Sequence, residues 1–278
     1  MARRLCRQKP GLAQRLAVSM KIAISGKGGV GKTLLSSLLS KSFAAAGFSV
    51  LAIDADPDAN LAASLGFPDP ASITPVSEMA DLIEERTGAR PGQSGSFIRL
   101  NPRVDDLPER LAVKHDGIRL MVMGRIKRGG TGCYCAEGVL LQALLSHLLL
   151  QRNEAVILDM EAGIEHLARG TARAVDRLII VVEPGRRSLE TALRVRELAS
   201  DIGVTRLSVV ANKVRHQAER DFICQNLPGL EVIGFIPYDP ALIEADLAAR
   251  PLDDASPLVS AAVNEIFQKL TSGEEGKK

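Results

Sequence analysis

The sequence predicts an α/β fold in a single domain, built on a doubly wound, mainly parallel sheet. Three observations predict it. A glycine-rich loop, Gly26 to Thr33, stands between a short apolar strand and a helix-forming run of small and apolar residues. Most of the later apolar runs are near-continuous in Val, Ile and Leu, as in strands covered on both faces. Helical patterns separate them, and alternation of this kind calls for right-handed crossovers between parallel strands.

The elements follow in order. Residues 1–19 carry Arg3, Arg4, Arg7, Lys9 and Arg15 without an acid, and lack the apolar stretch of a secretory signal. Met20 directly precedes the first strand, so 1–19 is read as a disordered extension ahead of a start at Met20, with a basic tail or organelle presequence as the alternative. Lys21–Ser25 is the first strand and Leu34–Ala46 the helix whose N-terminus lies under the loop. Further strands are expected at Ser49–Ile53, Ile118–Met123, Ala155–Leu158, Leu178–Val182, Leu207–Ala211 and Val232–Ile236. Helices are expected at Gly138–Gln151, Ser188–Ile202 and Glu219–Asn226. Between 67 and 108 the rhythm breaks into Pro, Gly and Ser with one helical piece near Val76–Thr87, read as a surface insertion. The domain is expected to span 20–271, with a polar tail at 272–278.

Bulk properties narrow the function. The 278 residues suffice for one large α/β domain with an ample core. Lys and Arg number 35 against 33 Asp and Glu, so the basic footprint of a nucleic-acid binder is missing. Two Tyr, seven Phe and no Trp leave little for base stacking. No apolar run reaches bilayer length, so no membrane partner is expected. Without a secretion signal the compartment is expected to be the reducing cytoplasm. The four cysteines (Cys6, Cys133, Cys135, Cys224) then raise metal or redox roles, not disulfides.

Gly26-Lys27-Gly28-Gly29-Val30-Gly31-Lys32-Thr33 satisfies the phosphate-loop spacing G-x-x-x-x-G-K-[ST]. Its glycines let backbone N–H groups approach phosphate oxygens, so Gly28, Gly29, Val30 and Gly31 are candidate nucleotide contacts. Lys32 is expected to reach the β- and γ-phosphates, and the Thr33 hydroxyl to ligate Mg²⁺. Lys27 is one cation more than the loop needs; a solvated side chain and a catalytic one are equally open on the residues alone.

Strand ends supply the remaining groups. Asp54-Ala55-Asp56-Pro57-Asp58-Ala59-Asn60 offers carboxylates that can hold Mg²⁺ through water or orient an attacking water. Capping of the next helix is the other reading, for which Asp58 is suited. Asp159 ends Val156-Ile157-Leu158 as a second Mg²⁺ carboxylate. Glu161, Glu165 and His166 follow, open between a metal-binding triplet and a hydrogen-bonded loop. Asn212 can read an adenine edge with its paired donor and acceptor, and Pro237 can wall the base. Cys133 and Cys135 form a C-x-C pair among glycines, able to chelate one soft metal but two ligands short of a tetrahedral site. A two-fold dimer would complete it. Buried structural thiols are the alternative.

Together these motifs resemble a known class. The loop with Lys27 is similar to the deviant Walker A motif of the MinD/ParA-type P-loop ATPases, which include the nitrogenase iron protein and ArsA-like pumps. Within that class the residues look like the CooC type, accessory ATPases that insert nickel into carbon monoxide dehydrogenase. The likeness is carried by Asp54-Ala55-Asp56-Pro57, Asn60-Leu61, Asn101-Pro102-Arg103-Val104-Asp105-Asp106, Gly132-Cys133-Tyr134-Cys135, Asp159 to His166 and Val182-Glu183-Pro184. It covers roughly 20–257.

The resemblance implies ATP hydrolysis with Mg²⁺, and a homodimer that depends on nucleotide and metal. It implies that Lys27 reaches across the dimer to the partner's ATP and that Asp56 positions or activates the attacking water. It also implies that Cys133 and Cys135 of both subunits bind nickel or zinc, with apo carbon monoxide dehydrogenase or a related nickel enzyme as client. Two rivals stand beside this reading. A partition or positioning ATPase would want a basic surface or a basic amphipathic C-terminal helix, and the end here is short and mixed in charge. An ATP-dependent iron–sulfur electron donor would use cysteines well apart in sequence.

Overall fold

The computed structural model describes residues 20–93, 97–124, 135–151, 154–161, 175–248 and 256–272. Its eight-stranded sheet contains β1 (Met20–Gly26), β2 (Val50–Ala55), β3 (Val113–His115), β4 (Ile118–Val122), β5 (Ala155–Met160), β6 (Arg177–Val182), β7 (Leu207–Val214) and β8 (Glu231–Pro237). The strand order is β3-β4-β2-β5-β1-β6-β7-β8. Every pairing is parallel except β3 with β4. The predicted doubly wound α/β fold is therefore present. The seven predicted strands correspond to β1, β2 and β4–β8. β3 was not predicted; it is a three-residue edge strand, only partly buried, closed onto β4 by a turn with Asp116 at φ 46°.

Helices cover both faces. On one lie α1 (Lys32–Ala45), α2 (Leu61–Leu65) and, from the far end of the chain, α9 (Pro257–Ser272). Val259, Val263, Ile266 and Leu270 recur at helical spacing and form the buried stripe of α9. Phe267 packs edge-on against Phe43 of α1, ring centroids 4.8 Å apart, and fixes the chain's end to the helix that carries the loop. Gly234 lets α9 approach β8: a Cβ there would come within 2.3 Å of Ile266.

The other face carries α3 (Ala80–Thr87), α4 (Leu107–Leu111), α5 (Ala136–Gln151), α6 (Arg186–Ile202) and α7 (Gln217–Asn226). Leu140, Leu141, Leu144, Leu145, Leu148 and Leu149 are all buried, because α5 is covered by the sheet below and by α3 beside it. The short α8 (Ala241–Leu247) follows β8.

Two 3₁₀ turns, Pro70–Ser72 and Val76–Glu78, lie with α3 and α4 in the segment read as an insertion. The Arg86 guanidinium joins α3 to the start of α4 through two bonds to Asp106, of 2.9 and 2.7 Å. These bonds hold the Asp106 carboxyl down at about 2. The Asn101-to-Asp106 motif thus ends in a structural clasp. Residues 1–19 and 273–278 lie outside the described residues. Among the described residues no helix is long and apolar enough to cross a membrane.

Candidate active site

The parallel register collects the chemistry at one edge of the sheet. β5 lies between β2 and β1, with Asp54 opposite Asp159 and Ile24 of β1 opposite Asp159 on the other side. Carboxyl ends of parallel strands are where ligands bind in such sheets, and the loop leaves β1 at that edge. Gly26 passes so close to β6 that a Cβ would fall 2.4 Å from the Val181 carbonyl. Gly31 has φ 95°, and a Cβ there would meet the Asn212 amide at 2.1 Å. Only glycine fits either position.

α1 begins at Lys32, so its unpaired N–H groups open into the loop. Lys32 is buried, with 7% of its side chain exposed, and its ammonium lies 3.8 Å from Asp56 Oδ2. The structure thus brings Asp56 beside the loop lysine. Lys27 is half-buried, and among the described residues its ammonium has no hydrogen-bonded or ion-paired partner. Gly28 and Gly29 are exposed.

Asp159 is fully buried. Burial pushes its carboxyl up to about 6, against hydrogen bonds from the Thr33 and Ser36 hydroxyls and the charge of Lys32. Its Oδ2 is buried and has no hydrogen-bond partner among the described residues. An orphaned carboxylate oxygen beside the Thr33 hydroxyl, in a hard oxygen donor set, fits Mg²⁺.

Asp54 is also buried and stands up at about 7, chiefly through desolvation and also through the charge of Asp159. Backbone N–H groups of Asp56 and Leu61 donate to its two oxygens at 3.2 and 2.9 Å. Asp54, not Asp58, therefore caps α2. Asp58 is exposed, and its side chain makes no cap bond to this helix. The sequence signal for a cap is local, whereas Asp54 reaches its target across a seven-residue turn.

Asn212 lies two residues before the end of β7 and faces the loop. Its Nδ2 donates to the Val30 carbonyl at 2.8 Å and its Oδ1 accepts the Lys213 N–H at 2.8 Å. One amide hydrogen and one lone pair remain for a ligand. Asn212 lies with Gly31, Leu34, Pro237, Tyr238 and Leu242 around a largely apolar cleft of about 330 Å³. Sequence reasoning assigned no role to Lys213, and Glu183 entered only within the Val182-Glu183-Pro184 motif; both line a second cleft beside the loop.

Cys133, Glu165 and His166 lie outside the described residues. Cys135 is half-buried immediately ahead of α5, where its carbonyl accepts the Val139 N–H at 3.0 Å. Its sulfur sits over Gly138, whose Cβ would approach to 3.1 Å. Glu161 is exposed just past β5. No group of three or more His, Cys, Asp or Glu suited to a metal ion occurs among the described residues.

Residues 21–252 match the model of the CobQ/CobB/MinD/ParA nucleotide binding domain. The chain belongs to this family. It is an ATPase of the MinD/ParA type, and known proteins agree with the narrower likeness read from its motifs. CooC of Rhodospirillum rubrum, a carbon monoxide dehydrogenase accessory protein, is 47% identical over 240 residues, 86% of this chain and 91% of that one. An uncharacterized ATP-binding protein of Methanocaldococcus jannaschii is 48% identical over 250 residues, 89% of this chain and 95% of that one. Among solved structures, the ATPase's fold matches MinD of Aquifex aeolicus with a TM-score of 0.63 and 25% identity, covering 92% of this chain and 98% of that one.

The raised Asp54 carboxyl makes stability depend on pH. Its ordinary value is near 3.8, so between about pH 4 and 7 the folded protein keeps a proton that the unfolded chain has lost. This group's contribution to stability therefore falls as pH rises through that window. Asp54→Asn cannot titrate. Chemical denaturation without nucleotide or Mg²⁺ should show the stability difference moving in the variant's favour by about 2–4 kcal/mol from pH 4 to pH 8. A difference independent of pH would contradict the assignment.

Proposed function

We propose that this ATPase is a metallochaperone that binds nickel between two subunits and helps to insert it into carbon monoxide dehydrogenase or a related nickel enzyme. The near-full-length identity to CooC, a carbon monoxide dehydrogenase accessory protein, carries the proposal. The C-x-C pair, Cys133 and Cys135, supports it with two soft ligands from each chain. Four thiolates suit zinc as well as nickel, so nickel as cargo rests on the relative and not on the ligands. Thiols need a reducing setting, which the cytoplasm supplies. Neither nucleic acid nor a membrane has a part in this reading.

In the proposed mechanism the loop amides and Lys32 bind the phosphates of ATP, and the apolar cleft at Asn212 and Pro237 takes the adenine. Thr33 and Asp159 would hold Mg²⁺, which supplies charge neutralisation on the phosphates when bound. Asp56, beside Lys32, accepts a hydrogen bond from the attacking water and aligns it on the γ-phosphorus. Lys27, half-buried and with its ammonium uncommitted among the described residues, reaches the partner's ATP and stabilises the charge that develops as the terminal phosphoryl leaves ADP. Hydrolysis yields ADP and phosphate. Drawing two subunits together around ATP changes the geometry of the shared thiolates and so gates the release of nickel.

Two experiments test this. Metal analysis combined with sizing by light scattering, with and without ATP, should give one nickel or zinc per dimer. The Cys133→Ser/Cys135→Ser protein should lose that metal while still binding nucleotide; unchanged stoichiometric metal would sink the ligand assignment. Lys27→Ala should lower turnover by roughly three orders of magnitude, the scale of a transition-state cation acting in trans, with ATP still bound. Hydrolysis at the wild-type rate would refute the role of Lys27.

A further inference from the structure

Lys213 adopts φ 59°, a left-handed conformation that side-chain-bearing residues seldom take. It lies in β7, where the pairing with β8 shifts register between Ala211 and Val214. In a regular strand, neighbouring side chains point to opposite faces. Here Asn212 and Lys213 both reach the phosphate loop, at two successive carbonyls. Asn212 donates to Val30 at 2.8 Å, and the Lys213 ammonium donates to Gly29 at 2.7 Å. Glu183, at the end of β6, lies 3.3 Å from the same ammonium and steadies it.

Each anchored carbonyl fixes a peptide plane, and in a trans peptide the next N–H points the opposite way. Beyond the Gly29 carbonyl, the Val30 N–H closes the loop's turn on the Lys27 carbonyl at 3.5 Å. Beyond the Val30 carbonyl, the Gly31 N–H is turned away from β7. Two side chains from one distorted strand thus hold two loop carbonyls on one side, which turns the Val30 N–H into the loop's own turn and the Gly31 N–H to the other side.

We propose that Lys213 is a positioning residue that sets the phosphate loop in its nucleotide-accepting shape before nucleotide arrives, and that its left-handed backbone exists to bring the ammonium onto Gly29. A loop already shaped for its ligand forfeits less ordering entropy on binding, so the gain appears as affinity. The inference rests on nucleotide binding by this loop, which ADP titration of the wild type tests by itself.

Two variants separate the ammonium from the backbone. Lys213→Gly removes the clamp but accepts φ 59° without strain. Lys213→Ala removes the clamp and keeps the strain. Calorimetry should show Mg·ADP bound about tenfold more weakly by both, a loss of about 1.4 kcal/mol. Without nucleotide, the glycine variant should melt at or above the wild-type temperature and the alanine variant below it. Wild-type affinity in Lys213→Gly would overturn the proposal. So would an affinity loss confined to Lys213→Ala, which would place the effect in the backbone alone. A glycine variant that melts early in step with its loss of affinity would make Lys213 merely structural and would overturn it too.

Discussion

Asp54 and Asp159 are buried side by side at the ends of β2 and β5, and the rest of the site is arranged around what balances them. Burying two carboxylates is costly unless each is hydrogen-bonded, protonated or paired. Asp54 takes two backbone N–H groups from the turn that follows it, so the charge of one strand end dictates the shape of the next loop. Asp159 takes hydroxyls from α1, which draws the first turn of the loop helix down onto β5. Among the described residues one oxygen of Asp159 is left without a partner. That surplus of acceptor capacity is what fits a cation there.

The loop is held from the other side by different means. β5 offers the Asp159 carboxylate to its helical end, while β7 offers donors to its carbonyls through Asn212 and Lys213. The phosphate-binding segment is thereby suspended between an acidic wall and a donating wall. Lys32 leans toward the acidic wall at Asp56. Among the described residues Lys27 pairs with neither wall, which supports the proposal that it serves a partner subunit.

Much of this was legible in the sequence. Strands covered on both faces announce themselves as near-continuous Val/Ile/Leu runs, and most of the seven were found that way. The phosphate loop, Asp56 and Asp159 were legible because their spacing is tied to local chemistry. β3 was not, since three half-exposed residues leave no pattern. α9 went unassigned although the Val259, Val263, Ile266, Leu270 stripe is the signal that finds it. Asp58 was the residue suited to cap α2 on the sequence, because a local rule cannot see Asp54 folding back across Pro57. Asn212 read as a base-recognition amide, and half of that amide is spent on Val30 and Lys213. Lys213 itself carries no sequence signature; only its backbone angle and its reach to Gly29 single it out.

The Asp159 oxygen that has no partner among the described residues is the feature proposed to meet Mg²⁺ beside bound nucleotide. The most direct measurement is calorimetric titration of ADP, with and without Mg²⁺, into the wild type and Asp159→Asn. The account predicts that Mg²⁺ tightens ADP binding about tenfold or more in the wild type. In the variant it should tighten binding hardly at all, while the Mg²⁺-free affinities of the two proteins agree. An Asp159→Asn protein that keeps the full Mg²⁺ enhancement would contradict it.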